Sequence, residues 1–173
     1  MLTQFGDDRR KWPMLDALIF PLTLILALGS GLIAGAFFAF SSFVMRALAK
    51  LPPPQGIAAM QSINIVVINP LFLGVFIGTA VIALLLAPLV MVQGAPAIGL
   101  LLAGSALYVI GCFGVTILGN VPLNNALAPL EAGSDEAASL WKRYLKDWVI
   151  WNHVRTIAAL AACGAFILAL PGH

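Results

Sequence analysis

Side chains able to do chemistry are concentrated at two places in this chain, Gly119-Asn120-Val121-Pro122-Leu123-Asn124-Asn125 and Trp151-Asn152-His153-Val154-Arg155. Amides supply paired donors and acceptors, an imidazole can take a proton near neutrality, and a guanidinium can stabilise an anionic intermediate such as an enolate in a low-dielectric pocket. His153 is the only histidine away from the C-terminus. Its ordinary pKa of roughly 6.5 suits a general acid or base, and a histidine snorkelling at a membrane interface is the plainer alternative. Arg155 shares the oxyanion role with Arg46, and lipid-headgroup anchoring is the alternative for either.

Spacing organises these residues. Tyr108, Cys112, Thr116 and Asn120 recur every four positions, and Tyr144, Trp148, Asn152 and Arg155 repeat at four, four and three. On helices each set forms one stripe. Facing each other, the stripes would line a partly aromatic cleft suited to a flat organic ligand. Trp141, Trp148 and Trp151 read first as interface markers. No metal site is expected: with one internal histidine and no cysteine near it, a closed zinc centre would need carboxylates, and Glu131, Asp135, Glu136 and Asp147 lie in a connection that reads as solvated. Cys112 and Cys163 fall inside apolar segments and read as free thiols.

The surroundings explain why these groups stand out. The chain of 173 residues is 61% hydrophobic and 9% charged, with a mean hydropathy of +1.02, against roughly a quarter charged in soluble domains. The scattered basic residues exclude a nucleic-acid partner. Four apolar segments, about 17–45, 65–92, 97–118 and 149–170, each approach or exceed the roughly 20 residues that span a bilayer. The expected fold is all-α, an integral membrane four-helix bundle over residues 16–173 behind a polar N-terminal extension, residues 1–15. The apolar run after Arg9-Arg10-Lys11 is too long for a signal h-region and reads as the first span.

Gly94 and Pro96 punctuate a tight turn, Leu51-Pro52-Pro53-Pro54 ends whatever follows the first span, and the outer connections are long and polar. Ser41, Ser42 and Arg46, then Asn64 and Asn69, then the two clusters, fall at four helix ends that an up-and-down bundle brings to one mouth. Ala27, Gly31, Gly35, Ala39, Gly74 and Gly78 form small-xxx-small faces for close packing. Gly29-Ser30-x-Leu32 with Gly35-x-Phe37 is echoed by Gly104-Ser105-x-Leu107 with Gly111-x-Phe113, compatible with two pseudo-repeated hairpins or with chance. Six basic residues on the long-connection side against three near the N-terminus favour a cytoplasmic placement of the long connections. Without Arg46 and Arg155 the balance is four to three.

Four stretches taken in order carry a family resemblance: Gly35-Ala36-Phe37-Phe38-Ala39-Phe40-Ser41; Met60-Gln61-x-Ile63-Asn64 with Asn69-Pro70-x-Phe72; Thr116-x3-Asn120-Val121-Pro122-Leu123-Asn124; and Trp148-x2-Trp151-Asn152-x-Val154-Arg155-Thr156. From about Gly31 to Ala161 the sequence resembles the anthrone-oxygenase-like membrane proteins. The resemblance implies an oxidoreductase of the bacterial cell membrane. Its fungal members look like oxygenases that convert anthrones to anthraquinones with O2 as co-substrate and no dedicated cofactor. Haem, flavin or metal stays open. His153 would be the base, with Asn120, Asn124, Asn152 and Arg155 holding the oxyanion, and Tyr108, Trp148 and Phe40 flanking the rings. Asn64 and Arg46 complete the expected substrate contacts. The alternative is a non-enzymatic protein that binds a quinone, lipid or haem-like ligand, assembles with itself, or packs as a small subunit on a partner. A transporter is disfavoured, because no intramembrane acidic residue offers a relay.

Overall fold

The computed structural model describes residues 13–95 and 97–170, with side chains from Ala17 onward. Arg9-Arg10-Lys11, Pro96 and His173 lie outside the described residues. Helix begins by Pro13, so the end of the expected extension, residues 13–15, belongs to the first helix.

Among the described residues helix is the only regular secondary structure. Four helices are long and apolar enough to cross a membrane: Ala17–Leu48, Pro70–Gln93, Ile98–Leu127 and Asp135–Ala169, the first to fourth spans below. The protein is an integral membrane four-helix bundle. The first span packs on the second and fourth, and the third packs on the same two, so the spans form a ring in chain order. Phe37, Phe72, Phe76 and Phe113 meet in edge-on, stacked and tilted pairs between the spans.

The connections differ from the expected polar loops. Pro53–Val66 is a helix, started by prolines whose missing N–H groups cost nothing in a first turn. Gln61 Nε2 donates to the carbonyls of Leu127 and Leu130 at 2.9 and 2.8 Å, tying this connecting helix to the end of the third span. Asn69 separates it from the second span: its Nδ2 donates to Val66 O and its Oδ1 caps Phe72 N. The second span therefore starts at Pro70, and Asn64 belongs to the connecting helix.

The fourth helix is 35 residues long, about 52 Å at 1.5 Å per residue, against a hydrocarbon core of about 30 Å. Ser134 caps it, accepting from Ala137 N at 3.1 Å. Asp135 and Glu136 are exposed and Asp147 is half-buried, as expected of a solvated connection, but the connection is helical from Asp135. Trp141, Tyr144 and Trp148 stack along its inner face, against Met45, Ile57 and Met60. Trp141 and Trp148 are buried, and only Trp151 among the three expected interface markers is exposed. Cys112 is buried, Cys163 half-buried, and both are free.

Two spans widen where the polar residues sit. Phe40–Val44 of the first and Leu107–Gly114 and Thr116–Asn120 of the third are π-helical. In an α-helix, four residues overshoot a turn by about 40°, so a four-residue stripe would spiral off its face. π-turns hold more residues per turn, so along Leu107–Gly114 and Thr116–Asn120 four-residue steps stay close to one face. Tyr108, Cys112, Thr116 and Asn120 are accordingly all buried.

The expected small-residue faces are only partly contacts. Added Cβ atoms at Gly35, Gly74 and Gly78 would meet nothing within 4 Å, whereas one at Gly104 would lie 2.8 Å from Phe166 and one at Gly111 2.7 Å from Ala158 Cβ. In the suggested repeat, Ser30 and Ser105 are both buried, and Phe37 and Phe113 both face the same cavity.

Candidate active site

A cavity of about 750 Å³ lies between the first three spans, the connecting helix and the inner face of the fourth. That volume is within the roughly 300–1,000 Å³ of small-molecule sites. Phe37, Phe40, Phe72, Phe76, Phe113 and Trp148 supply aromatic walls, and Asn64, Thr116, Asn124 and Arg155 supply polar points. It runs deeper than a pocket at the bundle mouth: Thr116 and Arg155 lie inside their spans.

The two stripes meet here. Arg155 Nε and Nη2 both donate to Asn152 Oδ1, at 3.0 and 2.8 Å, and Nη1 donates to Thr116 Oγ1 at 3.3 Å. Thr116 passes its own proton back to Cys112 O at 2.8 Å. Asn152 Nδ2 donates to Phe37 O at 2.9 Å and Ser41 Oγ at 2.7 Å. All four bonding positions of the Asn152 amide are used, and its orientation is forced because a guanidinium can only donate. Thr156 donates to Asn152 O, so in the 3.2 Å Ser41–Thr156 contact Ser41 is the donor. Asn152 thus joins the first, third and fourth spans around one guanidinium.

Arg155 is 6% exposed. Its charge has no carboxylate partner: among the described residues the one ion pair is the surface pair Arg143–Asp147. Its partners are neutral oxygens and two rings, Phe37 at 3.7 Å and Trp148 at 5.0 Å from Cζ. Three of its five N–H groups are used. A buried charge is costly unless compensated, and here the neutral bonds and ring faces leave a net positive charge at the wall of an apolar cavity.

A second polar point lies beyond Trp148. Asn124 Oδ1 accepts from Trp148 Nε1 at 2.8 Å and Tyr144 OH at 2.7 Å. Indole N–H is donor-only, so the Asn124 amide is oriented with Nδ2 left over. Tyr144 OH, having donated, receives Asn64 Nδ2 at 3.5 Å, which leaves Asn64 Oδ1. The two asparagines therefore have both N–H groups of Asn124, the second N–H of Asn64 and the Asn64 Oδ1 acceptor left over at the cavity wall.

The expected site residues separate into three groups. Arg155, Asn64, Asn124, Trp148 and Phe40 line the cavity. Asn152, Asn120 and Tyr108 are buried behind it: Asn152 orients Arg155, Asn120 Nδ2 holds Trp148 O at 3.0 Å, and Tyr108 OH holds Phe76 O at 3.2 Å. His153 and Arg46 are exposed and absent from the lining. His153 is one position past the buried stripe, on the outward side with the exposed Ile150, Ile157 and Leu160. Thr116, Phe72, Phe76 and Phe113 were not singled out as ligand contacts. Thr116 already stood in a stripe, but phenylalanines in an apolar span carry no signal of their own. No group of three or more possible metal ligands occurs among the described residues.

Fold and cavity together define a membrane-embedded helical protein with an internal cavity lined mainly by apolar and aromatic side chains. The profile of the family described as anthrone oxygenase matches residues 65–165, more than half of the chain, and the protein belongs to that family. The match begins after the first span, short of the expected start near Gly31, although the first span contributes Phe37 and Ser41 to the Asn152–Arg155 network. Membership points to an oxygenase-type function. No curated protein and no solved structure matches the chain.

Proposed function

We propose that this protein oxidises a flat, anthrone-like aromatic ketone with O2, by stabilising its enolate beside Arg155. The observation that carries this reading is the buried guanidinium without a counterion, on the wall of an aromatic-lined cavity. An anthrone has a methylene made acidic by its enol form. A cation held by neutral partners lowers the energy of the anion more than that of the neutral ketone, which is the differential binding catalysis requires. The electron-rich carbon then reacts with O2 directly. One oxygen atom becomes the new carbonyl, and the other leaves in water with the two methylene hydrogens.

In this reading Asn64 Oδ1 and Asn124 Nδ2 hold a second oxygen of the substrate, and Phe40 and Trp148, tilted together at 5.7 Å, flank the rings. Among the described lining residues none is a histidine or carboxylate, so the proton acceptor in this reading is solvent water at the polar end of the cavity, beside the exposed Asn125, and Arg155 shifts the equilibrium of the bound ketone towards the anion. The base role considered for His153 is not used.

The test is turnover of an anthrone by purified protein in lipid nanodiscs, with ¹⁸O2. Wild type should place one ¹⁸O in the quinone. Arg155→Met should lower kcat by about 10²–10³-fold, the usual effect of losing one oxyanion donor, while Arg155→Lys retains part of it. Equal rates in Arg155→Met and wild type would refute the proposal.

A further inference from the structure

We propose that the cavity is filled sideways from the bilayer, through a gap between the second and third spans at Ile77 and Ile117, so that its substrate is a compound dissolved in the hydrocarbon. This rests on reading the cavity as the substrate site.

Three observations converge. The third span packs on the second only over its first half: Ile98–Ala106 and Leu107–Gly114 contact Pro70–Gln93, whereas Thr116–Asn120 and Val121–Leu127 turn to the fourth span and Val121–Leu127 also to the connecting helix. The spans therefore part beyond the Phe76–Phe113 contact, along one side of the cavity. Ile77 and Ile117 line the cavity and are also 43% and 47% exposed, and Ile65 and Ile68, around the end of the connecting helix, line it too and are 73% and 69% exposed. A residue that is both lining and exposed marks an opening, and both edges of the one between Ile77 and Ile117 are apolar. Ile77 lies seven residues into its span, roughly 10 Å along the helix, so the opening is within the hydrocarbon.

The polar end is held more tightly. The cavity also reaches the exposed Asn125, but there Gln61 clamps the connecting helix to Leu127 and Leu130 with two bonds. A large apolar molecule concentrates in the bilayer and can pass between Ile77 and Ile117 without meeting a polar group. A water-borne one must pass the clamp.

Thiol accessibility tests this without turnover. Ala36 lines the cavity. Ala36→Cys in a Cys163→Ala background, in nanodiscs, is treated with methyl methanethiosulfonate and with its anionic sulfonatoethyl analogue. The apolar reagent should label Cys-bearing protein readily. The anion should be about 10²-fold slower, from the cost of roughly 3 kcal/mol for a charge at membrane depth. Adding Ile77→Trp or Ile117→Trp, singly or together, should slow the apolar reagent by about tenfold or more, equivalent to a rise of about 1.4 kcal/mol in the barrier, and Asn125→Trp should not. The single variants keep the test usable if the double variant folds poorly.

Equal labelling by both reagents, slowing by Asn125→Trp alone, or no labelling by either reagent would each overturn lateral filling. These results do not depend on catalysis, so they are distinct from failure of the oxygenase reading, which shows as missing turnover in a protein whose labelling follows the pattern above.

Discussion

At the scale of single residues, the site is one charge and the amide that aims it. Asn152 satisfies Arg155 through two bonds and anchors itself on Phe37 O and Ser41. Hydrogen bonds to a charged group are worth about 1.5–3 kcal/mol, so Asn152→Ala should lower unfolding free energy by about that much in a detergent-denaturation assay. Asn120→Ala should cost less. Asn120 makes one bond to a carbonyl and leaves its own Oδ1 buried without a partner, so removing the side chain relieves one orphan while losing one bond. His153→Ala should leave anthrone turnover within about a factor of two, as expected of an exposed position outside the site. A large loss of kcat in that variant would return the base role to His153. Arg155 and Asn152 stood out by scarcity, because polar groups in so apolar a chain need a reason, and both are buried. The phase separating His153 from them was not, since adjacent residues carry equal chemical promise until packing decides which faces inward.

At the scale of elements, the π-helical turns do the positioning. They straighten the stripe from Tyr108 to Asn120 and bring Thr116 to Arg155. The four-residue spacing pointed to this face, but no residue type announces a π-turn, so the geometry that makes the stripe straight was hidden. The helices at Pro53–Val66 and Asp135–Val149 were hidden differently: polar sequence reads as loop, and their helicity depends on Trp141, Tyr144 and Trp148 packing against Ile57 and Met60. Close approach was also misplaced by pattern alone. Gly111→Ala should destabilise the bundle by about 1–3 kcal/mol through overpacking against Ala158. Gly35→Ala, with open space around it, should be neutral or stabilising by up to about 1 kcal/mol from helix propensity. Thermal denaturation followed by circular dichroism separates the two.

At the scale of the whole molecule, the bundle is a scaffold that buries a cation with no carboxylate partner among the described residues. The four spans and their order were readable from hydropathy, since a bilayer demands long apolar helices. The cavity was not, because it is made by where helices diverge. The central claim is that this arrangement ionises the substrate, and an anaerobic titration of bound anthrone tests it most directly. Without O2 the enolate accumulates and its absorbance can be followed against pH. An opposite charge within about 4–6 Å lowers an acid's pKa by roughly 1–3 units, so anthrone bound to wild type should ionise at a pH lower by that amount than anthrone bound to Arg155→Met. Identical ionisation in the two proteins, at matched occupancy, would contradict the account.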